Sequence, residues 1–151
     1  MSIKLSYIEL GAIAQGESPN QTLENMIVTA QKAEELGFHR VWLGEHHNTP
    51  NFIAKAPEIT IPYIASHTKK IRVGSGSVLL NHYSPFKVAE VFTLLSSMFP
   101  GRIDLGIGRA TTGPASDFAL QRIRDMQRNP NDSEEQLVEI LNWFVKKLLA
   151  K

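Results

Sequence analysis

The stretch Ile71-Arg72-Val73-Gly74-Ser75-Gly76-Ser77-Val78-Leu79 decides the reading of the fold. It is short, carries the β-branched residues Ile71, Val73 and Val78, and contains the small and polar run Gly74–Ser77, as a strand leading into a functional end does. A helical pattern, Pro57–Thr68, precedes it, and a second, Pro85–Phe99, follows it. Strand, helix and strand of this kind recur outward in both directions. Further β-type segments are Ile3–Ile8, Arg40–Leu43 with Phe38 leading in, and Arg102–Ile107. The four strands start near residues 3, 38, 71 and 102, so they are 31 to 35 residues apart. That spacing is one βα unit, repeated four times.

The helices between them carry their own punctuation. Gln21–Leu36 places Leu23, Ile27 and Ala30 on one face and stops at Gly37, a residue suited to the left-handed cap. Pro57–Thr68 opens on a proline, while Pro62 further in should bend or delay that helix. Pro85–Phe99 has Ser84 as its expected N-cap and ends at Pro100-Gly101. Asp132 and Glu135 have capping-box-like spacing, and Leu137, Ile140, Leu141, Phe144, Val145 and Leu148 follow a 3.6-residue period. Ala115–Arg128 reads as one short helix in the loop after the fourth strand. Four βα units fit half of a TIM barrel or a small open α/β sheet, and periodicity does not choose between them.

Composition narrows the class. The 151 residues are expected to form a single domain, 1–151. Sixteen basic residues against fifteen acidic ones, with no basic block, argue against nucleic acid and anionic membranes as partners. The absence of cysteine removes disulfides, thiolate nucleophiles and Cys-ligated zinc. No secretory signal and no uncharged apolar run of about 18 residues is found, so a cytoplasmic location is expected.

In parallel α/β folds the functional groups collect at the C-terminal ends of the strands. Those ends read Glu9-Leu10-Gly11, Glu45-His46-His47-Asn48, Gly74-Ser75-Gly76-Ser77 and Gly106-Ile107-Gly108-Arg109. Glu45-His46-His47 is the densest polar cluster. A histidine titrates near neutrality and a carboxylate can fix its tautomer, which suits proton transfer; a solvated polar loop is the plainer alternative. No metal is expected, because His39, His67 and His82 show no ligand spacing. The two Gly-x-Gly pairs lack the third glycine and the later acidic residue of a dinucleotide fingerprint. Small residues there let backbone or a flat ligand approach closely. Arg109 can clamp a phosphate with two parallel hydrogen bonds, and Glu90, inside the third helix, reads on its own as a surface residue.

Trp42-Leu43-Gly44-Glu45-His46-His47 resembles the Trp-x-x-Glu-His-His stretch of the bacterial-luciferase-like flavin-dependent monooxygenases. The likeness continues through Ile71–Leu80, Ser84-Pro85-Phe86-Lys87-Val88-Ala89-Glu90 and Phe99–Ala110, in order, and covers about residues 3–110. The resemblance implies the N-terminal half of a (β/α)8 barrel that uses reduced FMN and molecular oxygen on a small organic substrate, with a flavin reductase as possible supplier. It makes His46 the catalytic histidine with Glu45 beside it, and Arg109 a ligand of the flavin phosphate. It sets Gly76-Ser77 at a non-prolyl cis peptide under the flavin ring, and Glu90 among acidic positions near the cofactor. Relatives are about twice as long, and a half barrel leaves two sheet edges and an apolar face uncovered. A homodimer or larger assembly is therefore expected. The alternative to an oxidoreductase is a non-catalytic flavin-binding or oligomer-forming half barrel.

Overall fold

The computed structural model describes residues 3–110, 112–120 and 132–149. Four strands, β1 (Ser6–Glu9), β2 (Arg40–Leu43), β3 (Arg72–Leu79) and β4 (Ile103–Gly108), alternate with α1 (Pro19–Glu35), α2 (Pro57–Ser66) and α3 (Pro85–Met98). Two further helices, α4 (Pro114–Leu120) and α5 (Ser133–Leu149), follow β4. All strand pairs are parallel and the order is β1-β2-β3-β4. A doubly wound sheet reverses its strand order at a switch point. This one does not, so the alternative left open by periodicity falls to the TIM-barrel type.

Helix boundaries follow local chemistry. Helix α1 begins two residues earlier than the pattern suggested, because Pro19 occupies its first turn and the Ser18 hydroxyl accepts from the Gln21 amide at 3.2 Å. Gly37 takes φ +78° just beyond its end. Pro62 neither breaks α2 nor delays its start at Pro57; it removes one hydrogen bond in a ten-residue helix otherwise held by packing. Ser84 stands at the N-cap of α3 but its side chain makes no capping bond. Strand β1 is shorter than Ile3–Ile8, since pairing begins at Ser6 opposite Arg40 and the side chains of Ile3 and Leu5 are exposed. In the predicted helix Ala115–Arg128, Pro114–Leu120 is helical and residues 121–128 lie outside the described residues.

The register divides the sheet into two faces. Tyr7, Val41, Leu43, Val73, Ile103 and Leu105 face the helices and pack with Met26, Ile61, Ile64, Val88 and Phe92. The opposite, inner face carries Ile8, Trp42, Gly74, Gly106 and three charges. There the Asp104 carboxylate accepts from Arg40 Nε at 2.6 Å and from Arg72 Nε and Nη2 at 2.8 and 2.7 Å. Burial tends to raise the Asp104 pKa, but the two guanidiniums win and hold it below its ordinary value of 3.8. The folded state therefore binds this proton less readily than the unfolded chain does. Its stabilising contribution is complete above the ordinary carboxylate value and is lost as pH falls through the depressed one. Asp104→Asn should remove that part of the acid sensitivity in urea titrations run across a pH series. An unchanged acid limb would contradict the assignment.

The ends of the units are also fastened by charge. The Glu34 carboxylate accepts from the amides of Lys69, Lys70 and Ile71, tying α1 to the turn before β3. The Arg102 guanidinium donates to the carbonyls of Ala65, Thr68 and Ile71, closing the same turn from the β4 side.

Candidate functional site

Beyond β2 the chain keeps the alternation of a strand for four residues. Glu45 and His47 project to one side, where Glu45 Oε1 stands 2.6 Å from His47 Nε2. His46 turns to the other. Its ring lies on Phe52, with centroids 4.9 Å apart, and beside Gly44. The His46 amide donates to the Ala54 carbonyl at 2.8 Å, and its ring makes no hydrogen bond to any described residue. Adjacent histidines thus have different surroundings, as divergence of neighbouring side chains requires.

Glu45 is the fixed point of this region. Its side chain is wholly buried, and its two oxygens are fully engaged. Oε1 accepts from the Tyr83 hydroxyl at 2.8 Å as well as facing His47, and Oε2 accepts from the Leu79 amide at 2.9 Å. Burial first, and then the adjacent Glu45 carboxylate, push the Tyr83 phenol far above its usual range, so it remains a donor. Just before Tyr83, a single 3-10 turn at Leu80–His82 brings the buried His82 ring to 5.8 Å from His47, edge to face. On its far side His82 Nε2 donates to Asp117 Oδ1 at 3.2 Å. Asp117 is held in turn by the Thr112 amide and hydroxyl. Burial works against its charge, but these donors outweigh it and lower its pKa.

Sequence reasoning set His82 aside for want of a ligand spacing and missed Tyr83 and Asp117. The rim rule would have reached the first two had the third strand end been followed past Ser77, through the turn. Asp117 lies in the first turn of α4 and has no spacing signal to His82, 35 residues earlier.

The glycines at the other strand ends serve close approach. The peptide bond Gly76–Ser77 is cis. A Cβ on Gly74 would meet the Trp42 ring at 2.7 Å and one on Gly76 would meet Trp42 Cβ at 2.7 Å. A Cβ on Gly106 would collide with the Ser75 carbonyl. Part of the space expected for a flat ligand is therefore taken by the indole of Trp42, which carries the Arg40 guanidinium 4.5 Å from its ring centre.

Arg109 closes β4 at the mouth of a cleft of about 400 Å³. Asn81, Gly108, Ser133 and Glu134 stand on its walls, and Arg109 Nη1 donates to the Ser133 hydroxyl at 3.2 Å. Glu90 is not brought to this rim. Its carboxylate is half-exposed on α3 and sits 3.6 Å from Lys87 Nζ.

A parallel sheet in sequential order, with polar groups gathered where the strands end, defines a barrel-type α/β chain. Comparison with known proteins gives the family. The chain belongs to the luciferase-like monooxygenase family, whose sequence profile matches residues 3–149. It is 42% identical over 144 residues to an N-acetyl-S-alkylcysteine monooxygenase of Bacillus subtilis, a match covering 95% of this chain and 42% of that protein. The crystal structure of apo-MsnO8 superposes with a TM-score of 0.84 at 42% identity, covering 93% of this chain and 42% of that one. The oxygenating constituent of 3,6-diketocamphane monooxygenase from Pseudomonas putida, solved with FMN, superposes with a TM-score of 0.78 at 28% identity over 93% of this chain and 39% of that one. The chain thus spans about two fifths of the length of the relatives it matches. Among the described residues no helix is long and apolar enough to cross a membrane.

Proposed function

We propose that this chain forms the first half of an FMN-dependent monooxygenase site, with Arg109 holding the flavin phosphate. The observation that carries the reading is the cleft at the end of β4. There a guanidinium, the Ser133 hydroxyl and the Asn81 amide converge, a donor set that suits a phosphate. Glu134 on the same wall opposes an anion, so Arg109 must supply the attraction.

The flavin, when bound, supplies the reaction with molecular oxygen. The chain's own residues bind, orient and handle protons. The backbone at Gly76 and Ser77, without bulk on the glycine, lets a ring system lie close to the rim. His46 Nδ1 or Nε2, unengaged by any described residue, takes or gives the proton of an organic substrate. Glu45 holds the segment that presents His46. Glu90, paired with Lys87, takes no part in this reading. A separate flavin reductase as the source of reduced FMN fits a relative described as an oxygenating constituent. Self-association belongs to the same proposal, because β1 and β4 are the outer strands of the described sheet and Ile8 is exposed on its inner face. So does a cytoplasmic location, since a single domain over residues 1–151 handling reduced flavin needs no membrane.

Arg109→Ala should weaken FMN binding by roughly ten- to a hundred-fold, the loss of one charge-assisted contact of about 1.5–3 kcal/mol. Lysine should restore only part of it. Fluorescence titration with riboflavin, which has no phosphate, should show a much smaller change. Equal losses for FMN and riboflavin would remove Arg109 from the phosphate site.

A further inference from the structure

We propose that Glu45, His47 and His82 form a binding site for one divalent transition-metal ion, of the zinc or cobalt(II) type, distinct from the flavin cleft. Their ligand atoms all lie within 4.8 Å of one another, drawn from two strand ends and buried or half-buried. Two imidazoles and a carboxylate are a donor set that selects first-row transition ions over calcium or magnesium.

An orphaned ring nitrogen adds a second, independent argument. His82 Nε2 stands 3.2 Å from Asp117 Oδ1. The other ring nitrogen, Nδ1, is fully buried and has no hydrogen-bond partner among the described residues. A buried polar atom without a partner is costly, and a bound cation would satisfy this imidazole. The chain Thr112, Asp117, His82 has the form of an outer carboxylate that orients a metal-binding imidazole and raises its basicity.

The other two ligands are already aligned. His47 Nε2 and Glu45 Oε1 stand 2.6 Å apart. The ion takes the place of the hydrogen bond between them. The Leu79 amide and the Tyr83 hydroxyl keep Glu45 in position throughout. Bound there, the ion links the end of β2 to the turn after β3 and, through Asp117, to α4. Its role is to fasten the rim, whichever substrate the rim serves.

The test uses the whole chain, stripped with chelator and titrated with cobalt(II) and then zinc. One equivalent of cobalt should produce the ligand-field absorption of a low-coordinate site, be displaced by zinc, and raise the melting temperature. X-ray absorption of the zinc form should show two imidazoles per metal. His82→Gln should abolish the stoichiometric spectrum, and Asp117→Asn should weaken binding about ten- to a hundred-fold. His67→Gln, on an exposed histidine elsewhere, should bind as the parent does. If His82→Gln fails to fold, Asp117→Asn and the imidazole count decide the matter. Absence of a one-to-one complex, or binding unaffected by Asp117→Asn, would overturn the proposal.

Discussion

Glu45→Ala is expected to cost about 3–5 kcal/mol, the loss typical when one partner of a buried charged network is deleted. Against a total stability of about 5–15 kcal/mol this is a large share. The cause is not the missing carboxylate as such. Three donors, the Leu79 amide, the Tyr83 hydroxyl and His47 Nε2, would be left facing a cavity with nothing to accept them. Glu45→Gln keeps the volume but exchanges one acceptor oxygen for a donor. It should therefore fall between the two, because one of the three donors then meets an N–H. Urea unfolding of the parent and both variants gives the comparison. A Glu45→Ala midpoint equal to that of the parent would mean that the buried carboxylate does not organise this rim.

The second large effect belongs to Gly106. An added methyl group there is aimed at the Ser75 carbonyl of the neighbouring strand, a backbone atom that cannot rotate away. Gly106→Ala should destabilise by about 3 kcal/mol, at the upper end of overpacking effects. At Gly74 the clash is partly with the Trp42 ring, which is a side chain. A second substitution, Trp42→Leu, separates the two cases. It should recover part of the loss in Gly74→Ala and none in Gly106→Ala. Equal recovery in both would show that the obstacle at Gly106 is the indole and not the ladder itself.

The repeat of strand starts and the β-branched residues of Ile71–Leu79 were enough to read four parallel βα units. Period and end chemistry are local properties of the chain. The resemblance through Trp42–His47 and Phe99–Ala110 led correctly to the family. What the sequence could not display was which groups meet. His82 comes to His47 only because β2 and β3 are neighbours and a 3-10 turn follows β3 directly. Arg40, Arg72 and Asp104 are 32 and 64 residues apart from their partners, and only the register aligns them. Glu90 shows the reverse case. Its place in a motif suggested the cofactor, while the helix turns it toward Lys87 and solvent. The Gly-x-Gly pairs were legible as sites of close approach, but the body that approaches them includes the chain's own Trp42.

The placement of Trp42 makes the protein its own spectroscopic instrument. The chain has two tryptophans, and they lie on opposite sides of the sheet. Trp42 is held on the inner face between the glycines and Arg40, whereas Trp143 sits on α5, edge to face with Phe86 at 4.7 Å. With Trp143→Phe, emission reports only what happens at the open face, including the arrival of a light-absorbing ring that would drain its excited state. With Trp42→Phe, it reports only the seating of α5 on α3. Binding on one side of the sheet and loosening on the other can thus be followed separately, without any attached dye.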